Sequence, residues 1–442
     1  MNIPSSERLE KVYGESTKSA ERFRVLAENF KKKYGHDEAE FFSAPGRTEI
    51  IGNHTDHNGG KVIAGSIDLD TIGAAQPNNS SVIHITSEGY AKEIVVDITK
   101  LDSVAKVSGT EALLAGMMEG AGKFGFKVGG FDAYVSTNVI AAAGVSSSAS
   151  FEMLVCTIIN HFFNEGAMSC ADYAKIGKYS ENVYWNKASG MMDQMACAVG
   201  GPVLFDFSNG SQPQYRPLSF SFEKKGYRLV IVNTGKGHAD LSEEYSGIPN
   251  EMKEAAKVLG VELLCETGLD DLLAHVNEIP NDRAVLRAIH FFEENRRVDE
   301  MAAAIEADDI DAVLRLVNES GTSSWELLQN CYSLQNCKEQ KITLTLALTE
   351  LFLKGVGDGV CNGIRRGVCN GIRRGVCNGI RRGVCNGIRN GVCRVHGGGF
   401  AGVIMCLVPL AEADNYVDYI AKYVGSSNVY PMNIRAVGAV RV

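Results

Sequence analysis

Polar and apolar positions alternate with two periods along the chain. Residues 5–34 carry Leu9, Val12, Phe23, Val25, Leu26 and Phe30 among charged neighbours, which predicts one or two amphipathic helices. A short strand is expected at Glu40–Ser43. Lys61–Ile67, Thr71–Ala75, Ser81–Ser87 and Lys92–Asp97 are short β-like runs broken by Gly, Asn and Asp, so a mainly antiparallel N-terminal sheet is expected. A helix at Glu111–Phe124 and a strand at Gly130–Asn138 follow, then the mostly apolar run Phe151–Phe163. Asp172–Trp185 and Ser189–Val199 read as helices, and Gly201–Phe207 and Tyr227–Asn233 as strands. From Pro249 to Leu353 the 3.6-residue period dominates, at Glu251–Leu259, Asp282–Asn295, Val298–Glu306, Ile310–Asn318 and Ile342–Leu353. Val403–Val408 predicts a strand, Leu410–Tyr423 a helix and Arg435–Val442 a final strand.

One stretch breaks this order. G-V-C-N-G-I-R-R begins at Gly359, Gly367 and Gly375, with a near copy, G-V-C-N-G-I-R-N, from Gly383. Removing the four units leaves K-G-V-G-D-G-V-C-R-V-H-G-G-G-F-A-G, which reads smoothly. The copies therefore read as a tandem duplication inserted into a strand or hairpin. A solvated arm without dedicated function is one reading. Seven Arg and no acidic residue leave weak polyanion binding open. An eight-residue Cys spacing is a poor metal-ligand set.

Length and composition narrow the class. At 442 residues the chain has room for two or three lobes. It is 45% hydrophobic and 22% charged, as a soluble globular protein is. Its net charge of −9 argues against nucleic acid or an anionic membrane as a partner. The N-terminus has no apolar signal region, and no apolar run is long enough to span a membrane, so a cytoplasmic protein is expected. Seven of the twelve Cys are scattered outside the repeat and without a C-x-x-C pair, which points to reduced thiols.

Four stretches carry candidate chemistry. Pro45–Gly60 gathers Arg47, His54, Asp56 and His57 beside Ile50 and Ile51. It is either a loop leaving a buried strand for a cleft or an ordinary polar turn. Gly144–Ser150, G-V-S-S-S-A-S, precedes an apolar helix; it suits an anion at a helix N-terminus or a plain Ser cap. Asp193 stands among Met191, Met192, Met195 and Ala196. Partly apolar surroundings raise a carboxyl pKa and suit a base, unless Asp193 sits on a solvated helix face. His396–Gly402, H-G-G-G-F-A-G, allows close backbone approach before a strand, or is a simple turn.

These stretches resemble motifs of the galactokinases, within the GHMP small-molecule kinases. G-R-T-E-I-I-G-N-H-T-D-H-N is similar to the signature G-R-x-N-L-I-G-E-H-T-D-Y-N, with Asn53 in place of Glu. The serine stretch resembles P-x-G-x-G-L-S-S-S-A, with Ile140 at the Pro and Ala142 at the first Gly. G-M-M-D-Q resembles G-I-M-D-Q, whose Asp is the proposed base. H-G-G-G-F-A-G resembles T-G-A-G-F-G-G, with His396, Gly398 and Ala401 exchanged.

The resemblance implies a two-lobed α/β (α+β) fold with mixed, mostly antiparallel sheets and a helical C-terminal region. The lobes would be 1–208 and 209–442, the second interrupted by the repeat at 359–390. It implies ATP-dependent phosphorylation of the anomeric hydroxyl of galactose, with Mg²⁺. Arg47 and Asp193 would be catalytic. Asn53, His54, Thr55, Asp56, Gly190 and Tyr245 would hold the sugar. Gly144, Val145, Ser146, Ser147 and Ser148 would hold ATP, and Ser148 and Glu181 the metal. A kinase for N-acetylgalactosamine or L-arabinose, or a non-catalytic galactose and ATP sensor, stays open. A monomer is expected.

Overall fold

The computed structural model describes residues 2–107, 109–140, 144–187, 189–210, 213–235, 242–355, 390–400 and 402–442. Ala142, Ala401 and the repeat up to residue 389 lie outside them. The strands are β1 (Glu40–Ile51), β2 (Lys61–Pro77), β3 (Val82–Ser87), β4 (Ile94–Asp97), β5 (Phe131–Thr137) and β6 (Pro202–Asp206), then β7 (Gln214–Pro217), β8 (Tyr227–Asn233), β9 (Val392–His396), β10 (Val403–Pro409), β11 (Val429–Met432) and β12 (Val440–Arg441). The helices are α1 (Ser6–Tyr13), α2 (Thr17–Tyr34), α3 (Thr110–Lys123), α4 (Ser147–Phe163), α5 (Cys170–Tyr184) and α6 (Met192–Val199), then α7 (Ser242–Val258), α8 (Leu269–Ala274), α9 (Asp282–Glu306), α10 (Ile310–Ser323), α11 (Lys341–Leu353) and α12 (Ala413–Val424).

Two mixed α/β layers result. An 8-stranded sheet runs β12-β1-β2-β5-β3-β4, with β6 pairing β2 and β7 pairing β6. Only β3 and β5 pair in parallel; the other pairings described are antiparallel, as expected. A 4-stranded sheet runs β11-β8-β10-β9. β7 and β12, both past residue 208, belong to the first sheet.

The strand of the signature is longer than expected. β1 continues past Ser43 to Ile51, so Arg47 and Glu49 stand on a strand and only the residues after Ile51 form the loop. Pro45 lies beyond the pairs Phe42–Arg441 and Ser43–Val440 that join β1 to β12, and beside a register shift between Pro45 and Arg47. There its missing N–H breaks no ladder bond. The two runs expected on either side of Asp68 and Asp70 fuse into β2. Asp70 does not break the strand because it is a buried carboxylate with its own cationic partners, Arg22 and Arg435. Asp282–Asn295 and Val298–Glu306 likewise form the single helix α9. Its charged middle is pinned by helix-spaced pairs, Arg296 to Glu293 at 2.7 Å and Arg297 to Glu294 at 2.7 Å. The last strand is only Val440–Arg441, because Arg435 turns inward to Asp70 at 3.0 Å.

Helix α4 is buried on nearly all sides, as its apolar run predicts. It lies against β1, β2, α5 and α6, and so carries its N-terminus to the junction of these elements. The eight cysteines among the described residues are unpaired, and Cys156, Cys197, Cys331 and Cys406 are buried. No helix among the described residues is long and apolar enough to cross a membrane. The repeat is flanked by the end of α11 and the start of β9 rather than by two strands. Gly391, just past the repeat, packs against Leu353, just before it, so the chain leaves and returns at one place.

Candidate active site

Arg47, on β1, points into the junction between the strand, α4 and α6. Its Nε and Nη2 donate to Asp193 Oδ1 at 2.8 and 2.7 Å, and its Nη1 donates to the Gly144 carbonyl. Ser146 Oγ donates to the other Asp193 oxygen at 2.5 Å. Both carboxylate oxygens are thereby fixed, while the side chain stays 31% exposed to the pocket. Burial alone would raise the Asp193 carboxyl. The nearby Arg47, then Lys187, and the bonds from Ser146 and Arg47 outweigh it and hold the group below its ordinary range. This corrects the expectation of a raised pKa. The polar partners of Asp193, Arg47 and Ser146, come from elsewhere in the chain rather than from the Met-rich sequence around it.

The glycine–serine loop before α4 follows directly. Gly144 and Ser146 both have left-handed backbone, with φ 68° and 59°. Ser146 occupies the cap position of α4 but makes no side-chain cap bond, because its hydroxyl is given to Asp193. The plain Ser cap is therefore absent, and the first-turn amides of α4 remain for an anion. Val145 is buried and contributes its carbonyl, which accepts from Arg47 N at 3.1 Å. Ser147 and Ser148 line a cavity of about 840 Å³ together with Tyr90, Val104, Phe151 and Trp185.

Ser148 Oγ donates to Glu181 Oε1 at 3.1 Å, and Lys187 Nζ reaches the same oxygen at 2.8 Å. Glu152, one turn further along α4, is fully buried and accepts from Gln194 Nε2 at 3.0 Å. Burial, then the neighbouring Glu181, push its carboxyl well above its ordinary range.

A second, smaller cavity of about 80 Å³ has Asp193 in its wall. Arg47, Glu49, Asn53, His54, Asp56, His57, Gly190 and Tyr245 are among its walls. His54 holds a left-handed backbone, φ 61°, and its Nε2 donates to the Gly398 carbonyl at 3.1 Å. Burial and then the neighbouring His57 push it down to about 3, so the ring is neutral. Its buried Nδ1, an acceptor in this tautomer, has no partner among the described residues. The Asp56 carboxylate has one ion-pair-distance neighbour among the described residues, the His57 ring Nε2 at 3.8 Å. A Cβ at Gly190 would overlap Asp56 Oδ2, so only glycine leaves that carboxylate its place. A Cβ at Gly398 would stand 2.5 Å from Tyr245 Cε2, which accounts for Gly where the related motif has Ala. Thr55 is fully buried, and its single hydroxyl hydrogen is shared between the Lys61 and Gly52 carbonyls, at 2.6 and 2.9 Å. It shapes the loop and does not line the cavity.

Several groups that build the site gave no local signal in the sequence. Glu294 of α9 accepts from the backbone N–H of Gly52 and Asn53 at 3.0 and 3.3 Å. Against its burial, Arg297 and His290 hold it down at about 2, so it stays an anion that grips the loop from behind. Arg394 of β9 pairs with Glu49, both buried. Lys187 sits three residues before Gly190, and that closeness was the available clue.

Arg47 and Asp193 line the smaller cavity, while Ser147 and Ser148, next to the Ser146 that bonds Asp193, line the larger one. The galactokinase galactose-binding signature matches residues 28–77, and the GHMP kinase N-terminal domain matches residues 111–201. The galactokinase of Lactiplantibacillus plantarum is 32% identical over 67% of this chain and 78% of its own length. That of Clostridium tetani is 28% identical over 69% and 78%. In fold, the chain matches Lactococcus lactis galactokinase complexed with galactose at TM-score 0.75 and 23% identity, over 95% of this chain and 99% of that one. It matches Methanococcus jannaschii mevalonate kinase at TM-score 0.59 and 14% identity, over 91% and 100%. The fold is that of the GHMP kinases. Within that class, the chain belongs to the galactokinase family.

Proposed function

We propose that the chain transfers the γ-phosphoryl group of ATP to the anomeric hydroxyl of galactose, giving galactose 1-phosphate. The observation that carries this reading is the position of Asp193. It lines the smaller cavity and is tied through Arg47 and Ser146 to the loop that opens the larger one. A sugar in the first and a nucleotide in the second would meet at that carboxylate.

Each group then has a role. Asp193 orients the anomeric hydroxyl and takes its proton late in the transfer. A carboxylate held this low is a weak base, so orientation is its first contribution. Arg47 stabilises the charge that develops on the phosphoryl oxygens. The α4 N-terminus and Ser146–Ser148 receive the phosphates. Asp56, His54 and Tyr245 offer the sugar hydroxyls acceptors and a donor. Ser148 and Glu181, one hydroxyl and one carboxylate, fit Mg²⁺, which keeps several waters and phosphate oxygens in its shell. Mg²⁺ would neutralise phosphate charge there, and Lys187 would give up its bond to Glu181.

A panel of sugars with Mg-ATP tests the reading. Galactose is expected to give the highest kcat/KM, above N-acetylgalactosamine and L-arabinose. A clear preference for either of those would move the assignment to that sugar. Binding of galactose and ATP without turnover would make the chain a sensor.

A further inference from the structure

The wall of the sugar pocket at position 53 carries a feature the catalytic reading leaves unused. In the signature that the chain resembles, Asn precedes Glu by four residues. Here the two are exchanged, with Glu49 at the Asn position and Asn53 at the Glu position. The exchanged side chains touch. Asn53 Nδ2 donates to Glu49 Oε1 at 3.1 Å and to the Gly397 carbonyl at 2.8 Å. Asn53 Oδ1 accepts from Asn330 Nδ2 at 2.8 Å and from Ser324 Oγ at 3.4 Å.

A carboxamide has two donor hydrogens and two acceptor lone pairs. All four are used within the protein. The backbone is used as well, since its N–H goes to Glu294 at 3.3 Å and its carbonyl accepts from His290 Nε2 at 2.9 Å. The residue is fully buried. Asp56 is the opposite case, with its carboxylate beside the cavity and His57 at 3.8 Å.

We propose that Asn53 is a positioning residue and not a sugar ligand. Glu49 and Asn53 act as one unit that, with Arg394, locks the Gly397–Gly399 turn over the pocket. The turn comes from the second sheet's side of the site and Glu49 from the first. Glu49 carries the charge that the signature places at position 53 and spends it on Arg394, which also donates to the Ile50 carbonyl at 3.0 Å. The sugar is then read by Asp56, His54 and Tyr245, and the wall at position 53 discriminates by shape alone. The inference rests on the galactose-kinase reading but fails separately from it.

Monodeoxy galactoses separate the two roles. A side chain that binds one hydroxyl loses affinity only for sugars that carry it, whereas a positioning residue affects all sugars alike. Asn53→Ala is expected to raise KM on the order of tenfold for galactose. The 2-, 3-, 4- and 6-deoxy sugars should shift by the same factor within about threefold, with kcat and KM for ATP nearly unchanged. One deoxy sugar that the substitution leaves untouched, while galactose weakens, would overturn the inference.

A second arm does not depend on Asn53→Ala folding. Asn53→Asp sets two carboxylates against each other and should raise KM for the sugar. Adding Glu49→Gln returns one charge and one amide to the pair and should restore most of the loss. An Asn53→Asp protein that binds galactose as well as wild type would make position 53 a ligand after all. Absence of galactose turnover in the wild type would instead fail the proposed function.

Discussion

Asp193→Asn is expected to lower kcat by about 10²–10⁴-fold, with the protein still folded. The amide matches the carboxylate in size, its oxygen can still accept from Arg47, and its NH2 can donate to the Ser146 hydroxyl oxygen once that hydroxyl turns, so the pocket keeps its shape. It cannot take a proton, and it leaves Arg47 without a counter-charge. KM for the sugar should change less than kcat, because Asp56, His54 and Tyr245 are untouched. Steady-state kinetics beside a melting curve checks this. A loss below tenfold with the fold intact would remove Asp193 from the chemistry. The pH profile gives a further check. Asp193 is held below its ordinary range, so it stays ionised as pH falls through 5. Any acid limb of kcat in that range should therefore come from another group.

The largest stability effect is expected at Asp70. This fully buried carboxylate accepts from Arg22 at 2.8 Å, Arg435 at 3.0 Å, Tyr13 at 2.8 Å and Ser43 at 2.6 Å. It joins α1, α2, β1 and the C-terminal segment at one point. Asp70→Ala strands Arg435, itself buried, and should cost about 3–5 kcal/mol in urea unfolding. The sign of the pH dependence follows from the shift. Burial would raise the Asp70 carboxyl, but Arg22 and Arg435 hold it below the ordinary value. Its stabilisation is therefore complete above the unfolded pKa near 4 and is lost as pH falls through the lower folded value. Wild type should lose stability over that acid window, and Asp70→Ala should lose less. A substitution costing under 1 kcal/mol would show that the cluster is not a structural anchor.

The candidate residues could be picked out in the sequence, because type and spacing are local. Arg47, the serine run and Asp193 could be picked from short strings. The charges that surround them could not. Arg47 and Asp193 are 146 residues apart, and Gly52 and Glu294 are 242 apart. Asp193 was expected to be a raised carboxyl because only its methionine neighbours were visible along the chain. Its real electrostatic partner lies on β1. The same distance effect fused the two halves of β2, where Asp70 looked like a strand break and is a buried ion partner. Alternation and helical period placed most elements, since they report burial of one face. They failed where a charged residue is buried by pairing, as at Arg297 in α9.

The most direct test of the account is ³¹P NMR of the products formed from Mg-ATP and galactose. The account predicts a sugar phosphate with phosphorus on the anomeric oxygen, formed in step with ADP and absent without galactose. Folded protein that releases ADP regardless of galactose, or that phosphorylates another hydroxyl, would contradict it.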